Sequence, residues 1–220
     1  MKIYEKLLNT YGYQNWWPAE TRFEVIIGSI LVQGTQWSRV EKVIEEMKKR
    51  DLIDEEKILK IDEDELINII RKVGYYKRKA RALKELTGFI VNNYGSTDEM
   101  AKSDESLISL REKLLSIKGI GKETADSILL YALDRETFVV NAYTKRLFGR
   151  LNIIHEKDYE KIKRFFESQI PRDLKIYKEY NALIVEHCKR ACRKVPKCLT
   201  CPLKNICPYS EDYAIKEVKG

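Results

Sequence analysis

Histidine is almost missing from this chain, with only His155 and His187 among 220 residues. That scarcity argues against a histidine-based catalytic triad and a multi-histidine metal centre. Chemistry therefore falls to carboxylates, amides, lysines, aromatics or cysteines. Five prolines and ten glycines are few for this length, and they stand where turns are expected, with no internal repeat or flexible linker. No uninterrupted apolar run approaches the roughly 20 residues needed to cross a bilayer. The start, MKIYEKLLNTYGYQNWWP, has no long apolar centre of a signal peptide. A cytoplasmic protein with no membrane partner is the expectation. Cysteine is absent before residue 188, and all five lie between Cys188 and Cys207. In a chain without a secretory signal, such clustering reads as a metal or cluster site rather than a disulfide framework.

What is present is mostly helical pattern. Apolar residues recur three and four apart in Phe23/Ile26/Ile27/Ile30, Val40/Val43/Ile44, Leu66/Ile69/Ile70 and Leu83/Leu86/Phe89/Ile90. Alternating strand patterns are short, and Thr137 to Val140 reads as an extended link between helices. An all-α protein of about ten helices is predicted. The net charge of +7 favours a polyanionic partner.

Three segments carry chemistry. In Lys118-Gly119-Ile120-Gly121-Lys122, two glycines allow a sharp turn with bare backbone N–H groups, just before an amphipathic run from Thr124 to Ala132. The partial positive charge of that helix start suits one phosphate. Cys192-x5-Cys198-x2-Cys201-x5-Cys207 offers four thiolates, fit for either a [4Fe–4S] cluster or tetrahedral zinc by spacing alone. Around them Lys189, Arg190, Arg193, Lys194 and Lys197 make a basic patch for phosphates. Trp16, Trp17 and Trp37, all the tryptophans of the chain, fall close together near its start. A second basic run, Arg71 to Arg81, interleaves Tyr75 and Tyr76, which are expected to pack rather than to stack on bases.

The run Leu115 to Arg146, with its Gly-Ile-Gly-Lys-Glu-x-Ala-Asp string, resembles the helix–hairpin–helix and following loop of the endonuclease III superfamily of DNA glycosylases. The resemblance extends over essentially the whole chain. The Trp-Trp-Pro element and the Phe-Glu-x-x-x-Gly-x-x-Leu-x-Gln pattern resemble one branch in particular, the 3-methyladenine DNA glycosylase III type. The resemblance implies two helical domains with DNA in the cleft between them. Residues 23–135 would form a six-helix domain with the hairpin at about 113–132. Residues 1–22 and 136–220 would form a terminal domain with a cluster loop at 192–207. It further implies a [4Fe–4S] cluster on Cys192, Cys198, Cys201 and Cys207, Cys188 being spare.

A flipped alkylated purine would then lie between aromatics at Trp16, Trp17, Pro18 and Trp37. Gln33 would fill the gap left in the duplex. Lys118, Gly119, Ile120, Gly121, Lys122, Thr124, Arg193, Lys194 and Lys197 would hold the DNA. The implied partner is double-stranded DNA containing damaged bases, bound by a monomer. Mismatch removal of thymine or uracil opposite guanine, or of adenine opposite oxidised guanine, is the rival within the class. Two positions depart from the family. Where the family places its catalytic aspartate stands Asn141, which cannot supply a negative charge. One Asp-to-Asn replacement, giving a weakened enzyme, is favoured over a natural damage-binding protein without efficient cleavage. Where bifunctional members carry the Schiff-base lysine stands Glu123, and Lys122 points about 100° away around the helix. A monofunctional glycosylase without lyase activity is expected.

Overall fold

The computed structural model describes residues 1–210; the last stretch of the expected terminal domain, 211–220, lies outside the described residues. Twelve α-helices and no strand occur among the described residues, as the periodicity predicts. No helix there is long and apolar enough to cross a membrane.

The chain divides into two units. A central unit spans Trp17–Glu136, and a terminal unit joins Met1–Trp16 to the chain from Thr137 onward. The central unit begins ahead of the expected position 23, because the Trp17 ring packs inside it.

The central unit is organised around α2 (Arg22–Leu31), buried from Phe23 to Leu31. Thr21 starts it by accepting the Glu24 N–H at 3.1 Å. Around it run α3 (Trp37–Lys49), α4 (Glu55–Lys60), α5 (Glu63–Ile70), α6 (Tyr76–Tyr94), α7 (Thr97–Lys102), α8 (Leu107–Ser116) and α9 (Lys122–Ser127). Behind α9 the predicted regular helix does not continue. Ile128–Ala132 forms a π-helical turn, closed by the Leu133 N–H on the Ile128 carbonyl at 3.0 Å. Such widened turns recur at functional sites.

The terminal unit comprises α1 (Lys2–Tyr11), α10 (Ala142–Arg150), α11 (Tyr159–Gln169) and α12 (Leu174–Arg190). Its core is aromatic: Phe138 stacks on Phe166 with centroids 4.2 Å apart, and Phe148, Tyr177 and Tyr180 close around them edge-on. The link Thr137 to Val140 is extended and buried, so its backbone needs partners off the chain path. Glu167 Oε1 takes the Phe138 N–H at 2.9 Å, and Asn181 Nδ2 donates to the Val139 carbonyl at 2.9 Å.

Candidate functional site

The double-glycine turn joins α8 to α9. Gly119 has φ +96°, a conformation closed to residues with a Cβ, and a Cβ there would lie 3.0 Å from that of Ala82. Ile117 and Ile120 are buried and anchor the turn from below, so the Ile120 side chain faces the core and only its backbone is available outside. Lys118, Gly121, Lys122 and Glu123 are exposed, whereas Thr124 is buried. Gly121 leaves the start of α9 without a side-chain cap, while α2, α4, α5, α7 and α8 are all capped by side chains. Gln33 reaches the turn directly: its Nε2 donates to the Gly119 carbonyl at 3.1 Å and to Thr124 Oγ1 at 2.9 Å. A bidentate pair, Arg111 with the fully buried Asp126 at 2.7 and 3.1 Å, fixes α8 against α9.

The tryptophans divide between the units. Trp17 and Trp37 come together in the central unit, edge to face at 87° with centroids 5.3 Å apart, and Tyr131 joins Trp17 at 5.5 Å. These two rings meet edge to face and not as parallel walls. Trp16 belongs to the terminal unit, where Lys189 Nζ lies 5.7 Å from its ring centroid, and Pro18 is exposed. The cluster is fitted to Gly28 on α2, where a Cβ would lie 3.0 Å from Trp17 Cζ2. Gly28→Ala is therefore expected to displace the Trp17 ring. Overpacking of that kind costs about 1–3 kcal/mol, read by denaturant unfolding, with a shift in tryptophan fluorescence.

Asn141 begins α10 in the terminal unit. Its Oδ1 accepts the Thr144 backbone N–H at 2.9 Å and the Thr144 hydroxyl at 3.2 Å, and the Asn141 backbone N–H donates to Thr144 Oγ1 at 3.5 Å, completing a capping box. Because the Thr144 N–H can only donate, the oxygen must face the helix. The amide nitrogen is left on the other side, with no hydrogen bond to the described residues.

From the same helix, Arg146 and Arg150 project one turn apart onto the cysteine loop. Arg146 Nε donates to the Cys192 carbonyl at 2.8 Å; Arg150 donates to the Cys192 sulfur at 3.2 Å and to the Arg193 carbonyl at 2.6 Å. Cys192, Cys198, Cys201 and Cys207 line one pocket, walled by Leu147 and Leu151. No three ligating side chains among the described residues close on a single-ion site. A hydrogen bond from Cys188, aided by Arg150, draws the Cys192 thiol down to about 6, favouring the thiolate. Cys188 itself is buried on α12. His187, fully buried, contacts the Tyr11 hydroxyl through Nδ1 at 3.0 Å. Arg193, Lys194 and Lys197 are exposed on the loop.

Several residues of interest were not visible in the sequence. Tyr131 enters the aromatic cluster from the π turn. Tyr75 is 76% exposed with φ +48°, rather than packed as expected, while Tyr76 lies under Arg71 at 5.8 Å. Lys79, one of the cations in the basic run Arg71 to Arg81, is buried. Positive φ after a glycine was the available signal for Tyr75, since Gly74-Tyr75 interrupts a helical pattern.

Comparison with known proteins decides what these parts belong to. Residues 27–172 match the HhH-GPD superfamily of base excision DNA repair proteins. The chain belongs to that superfamily. The HhH-GPD chain is 60% identical to a candidate DNA repair glycosylase of Methanocaldococcus jannaschii, over 94% of each chain. It is 27% identical to endonuclease III of Thermotoga maritima, over 90% of this chain and 88% of that one. The crystal structure of the H. pylori 3-methyladenine DNA glycosylase bound to 1,N6-ethenoadenine superposes with a TM-score of 0.75 at 30% identity, covering 86% of this chain and 96% of that one. The expectations of an all-α fold and of the endonuclease III superfamily are borne out. The chain is a DNA glycosylase of the HhH-GPD type.

Proposed function

We propose that the chain is a monofunctional glycosylase that hydrolyses the N-glycosidic bond of alkylated purines in duplex DNA. The observation that carries this is the Trp17–Trp37–Tyr131 cluster, in a chain 30% identical to a 3-methyladenine glycosylase. Alkylation at N3 or N7 makes a purine cationic, and a cation over an aromatic face gains about 0.5–2 kcal/mol that a neutral purine does not. A damaged nucleotide also leaves the stack at less cost.

The residues divide the work. Gly121 and the uncapped start of α9 present N–H groups to a phosphate, flanked by Lys118 and Lys122. Gln33 and Tyr75 enter the duplex where the base has left. Arg193, Lys194 and Lys197 contact phosphates further along. Asn141 stands at the carboxylate position and presents an amide N–H where the family places charge; it leaves only weak catalysis on bases that depart readily. Glu123 carries no amine, so no Schiff base forms and the strand is not cut.

The four cysteines would hold a [4Fe–4S] cluster. All four line one pocket, and four thiolates together suit such a cluster, which the resemblance to the endonuclease III superfamily implies. When bound, such a cluster supplies a rigid tie for the loop. Arg146 and Arg150 orient that loop on α10, the helix that Asn141 starts.

The test is incubation with methylated duplex DNA followed by chromatography of the released bases. Slow release of 3-methyladenine or 7-methylguanine is expected, with strand cleavage only after alkali. Immediate cleavage would overturn the monofunctional assignment. Iron content and broad visible absorption are expected of the native protein, and colourless zinc protein would refute the cluster.

A second reading, a damage-binding protein that does not cleave, is favoured by the amide at Asn141. It predicts tight binding to alkylated DNA and no release at all.

A further inference from the structure

Lys79 is 2% exposed, yet it ends in a charge. Its Nζ donates to the Leu31 carbonyl at 2.8 Å, to Thr35 Oγ1 at 2.9 Å and to the Val73 carbonyl at 2.9 Å. All three protons of the ammonium are used, and every acceptor is neutral. Burial pushes the group down to about 8, which still leaves it charged at neutral pH with three donors in place. An apolar side chain of this length would fill the space without the desolvation that a buried charge costs. Stability alone does not account for a lysine here.

The three acceptors share a location. Leu31 ends α2; Thr35 lies in the turn to α3, two residues after Gln33; Val73 immediately precedes Gly74 and Tyr75. Thr35 Oγ1 is itself in hydrogen-bond contact with the Val73 carbonyl, and Gln33 goes on to grip Gly119 and Thr124. One hydrogen-bonded network therefore runs from the 73–75 loop through Lys79 and Thr35 to the 33–36 turn and the hairpin. Three helix starts border it, at Gln36, Tyr75 and Gly121, and none has a side-chain cap. Gly34 and Gly74 reach positive φ freely, whereas Tyr75 holds φ +48° at a cost that the surrounding structure must offset.

We propose that Lys79 is a positioning residue for damage recognition. Its ammonium clamps the 33–36 and 73–75 loops to each other, so that Gln33 and Tyr75 meet the duplex as one preformed surface, although Lys79 itself never touches DNA. The inference rests on the assignment of the chain as a DNA glycosylase that opens the duplex at a lesion. Without the clamp, each loop must be ordered during binding, and the loss falls on the complex in which the duplex is opened.

The experiment compares binding of the whole protein to two duplexes, one undamaged and one carrying a tetrahydrofuran abasic analogue. Lys79→Met is expected to weaken binding to the tetrahydrofuran duplex about 10- to 100-fold, with undamaged duplex changed less than about 3-fold. The slope of log Kd against log salt is expected to stay the same, because no phosphate contact is removed. Thr35→Val keeps the buried charge but removes its hydroxyl acceptor, and it is expected to shift the same ratio in the same direction by about 3-fold or more. It serves as the arm that folds if Lys79→Met does not. An equal loss on both duplexes, or a salt slope smaller by about one, would make Lys79 a general structural or phosphate-binding residue and overturn the proposal. An unchanged ratio in both variants would do the same. If the unaltered protein shows no preference for the tetrahydrofuran duplex, it is the glycosylase assignment of this surface that fails.

Discussion

With Asn141 replaced by Asp, release of an alkylated purine is expected to rise about 10²- to 10⁴-fold under single-turnover conditions. The geometry explains why the change should act on chemistry and not on fold. Asn141 Oδ1 carries the side chain's share of the cap of α10, through the Thr144 N–H at 2.9 Å and the Thr144 hydroxyl at 3.2 Å. Aspartate offers the same oxygen and caps a helix equally well. Only the outer arm changes, from an N–H donor to a carboxylate oxygen. A negative charge there stabilises the positive charge that grows on the sugar as the base leaves, whereas an amide hydrogen opposes it. The helix start also favours the ionised form, so the thermal midpoint should hold or rise slightly. An Asn141→Asp protein that folds, binds alkylated DNA and is no faster would remove residue 141 from the reaction.

The two glycines of the hairpin are expected to fail in different ways. Gly119→Ala forces a Cβ onto φ +96° and places it 3.0 Å from Ala82, a buried side chain with no room to give. Strain and overpacking together cost about 2–4 kcal/mol. The turn must also move off the Gln33 amide that holds its carbonyl, so stability and DNA affinity fall together. At Gly121 the backbone is extended and a Cβ would meet nothing within 4 Å. Gly121→Ala should therefore keep the stability of the parent. If DNA is held here as proposed, it should still lose about 10-fold or more in duplex affinity, because the added methyl would stand in the path of a phosphate coming to the start of α9. Equal affinity in Gly121→Ala and the parent would mean that DNA does not come close to this turn.

The helices were readable because periodic apolar residues and capping side chains act locally, and the turn between α8 and α9 because two glycines mark it. The four cysteines were readable from spacing for the same reason. What was hidden depends on where a side chain goes after the chain has folded. Adjacent Trp16 and Trp17 share one sequence environment, yet one joins the terminal unit beside Lys189 and the other packs on Gly28 in the central unit. Tyr131 sits in a run that reads as regular helix, and the π turn changes the direction in which it projects. Lys79 was one cation among six in a basic stretch, and only three converging acceptors from distant segments distinguish it. Arg146 and Arg150 likewise gain their meaning from carbonyls some forty residues away on the cysteine loop.

The central claim is that this site selects a cationic purine. It is tested most directly by the bases that the Asn141→Asp protein releases from matched duplexes carrying 7-methylguanine, 3-methyladenine, uracil or thymine opposite guanine, and adenine opposite oxidised guanine. The account predicts that the two methylpurines leave at least about 10-fold faster than any neutral base, in line with the advantage of a charged ring against an aromatic face. Preferential release of uracil, thymine or adenine would contradict it.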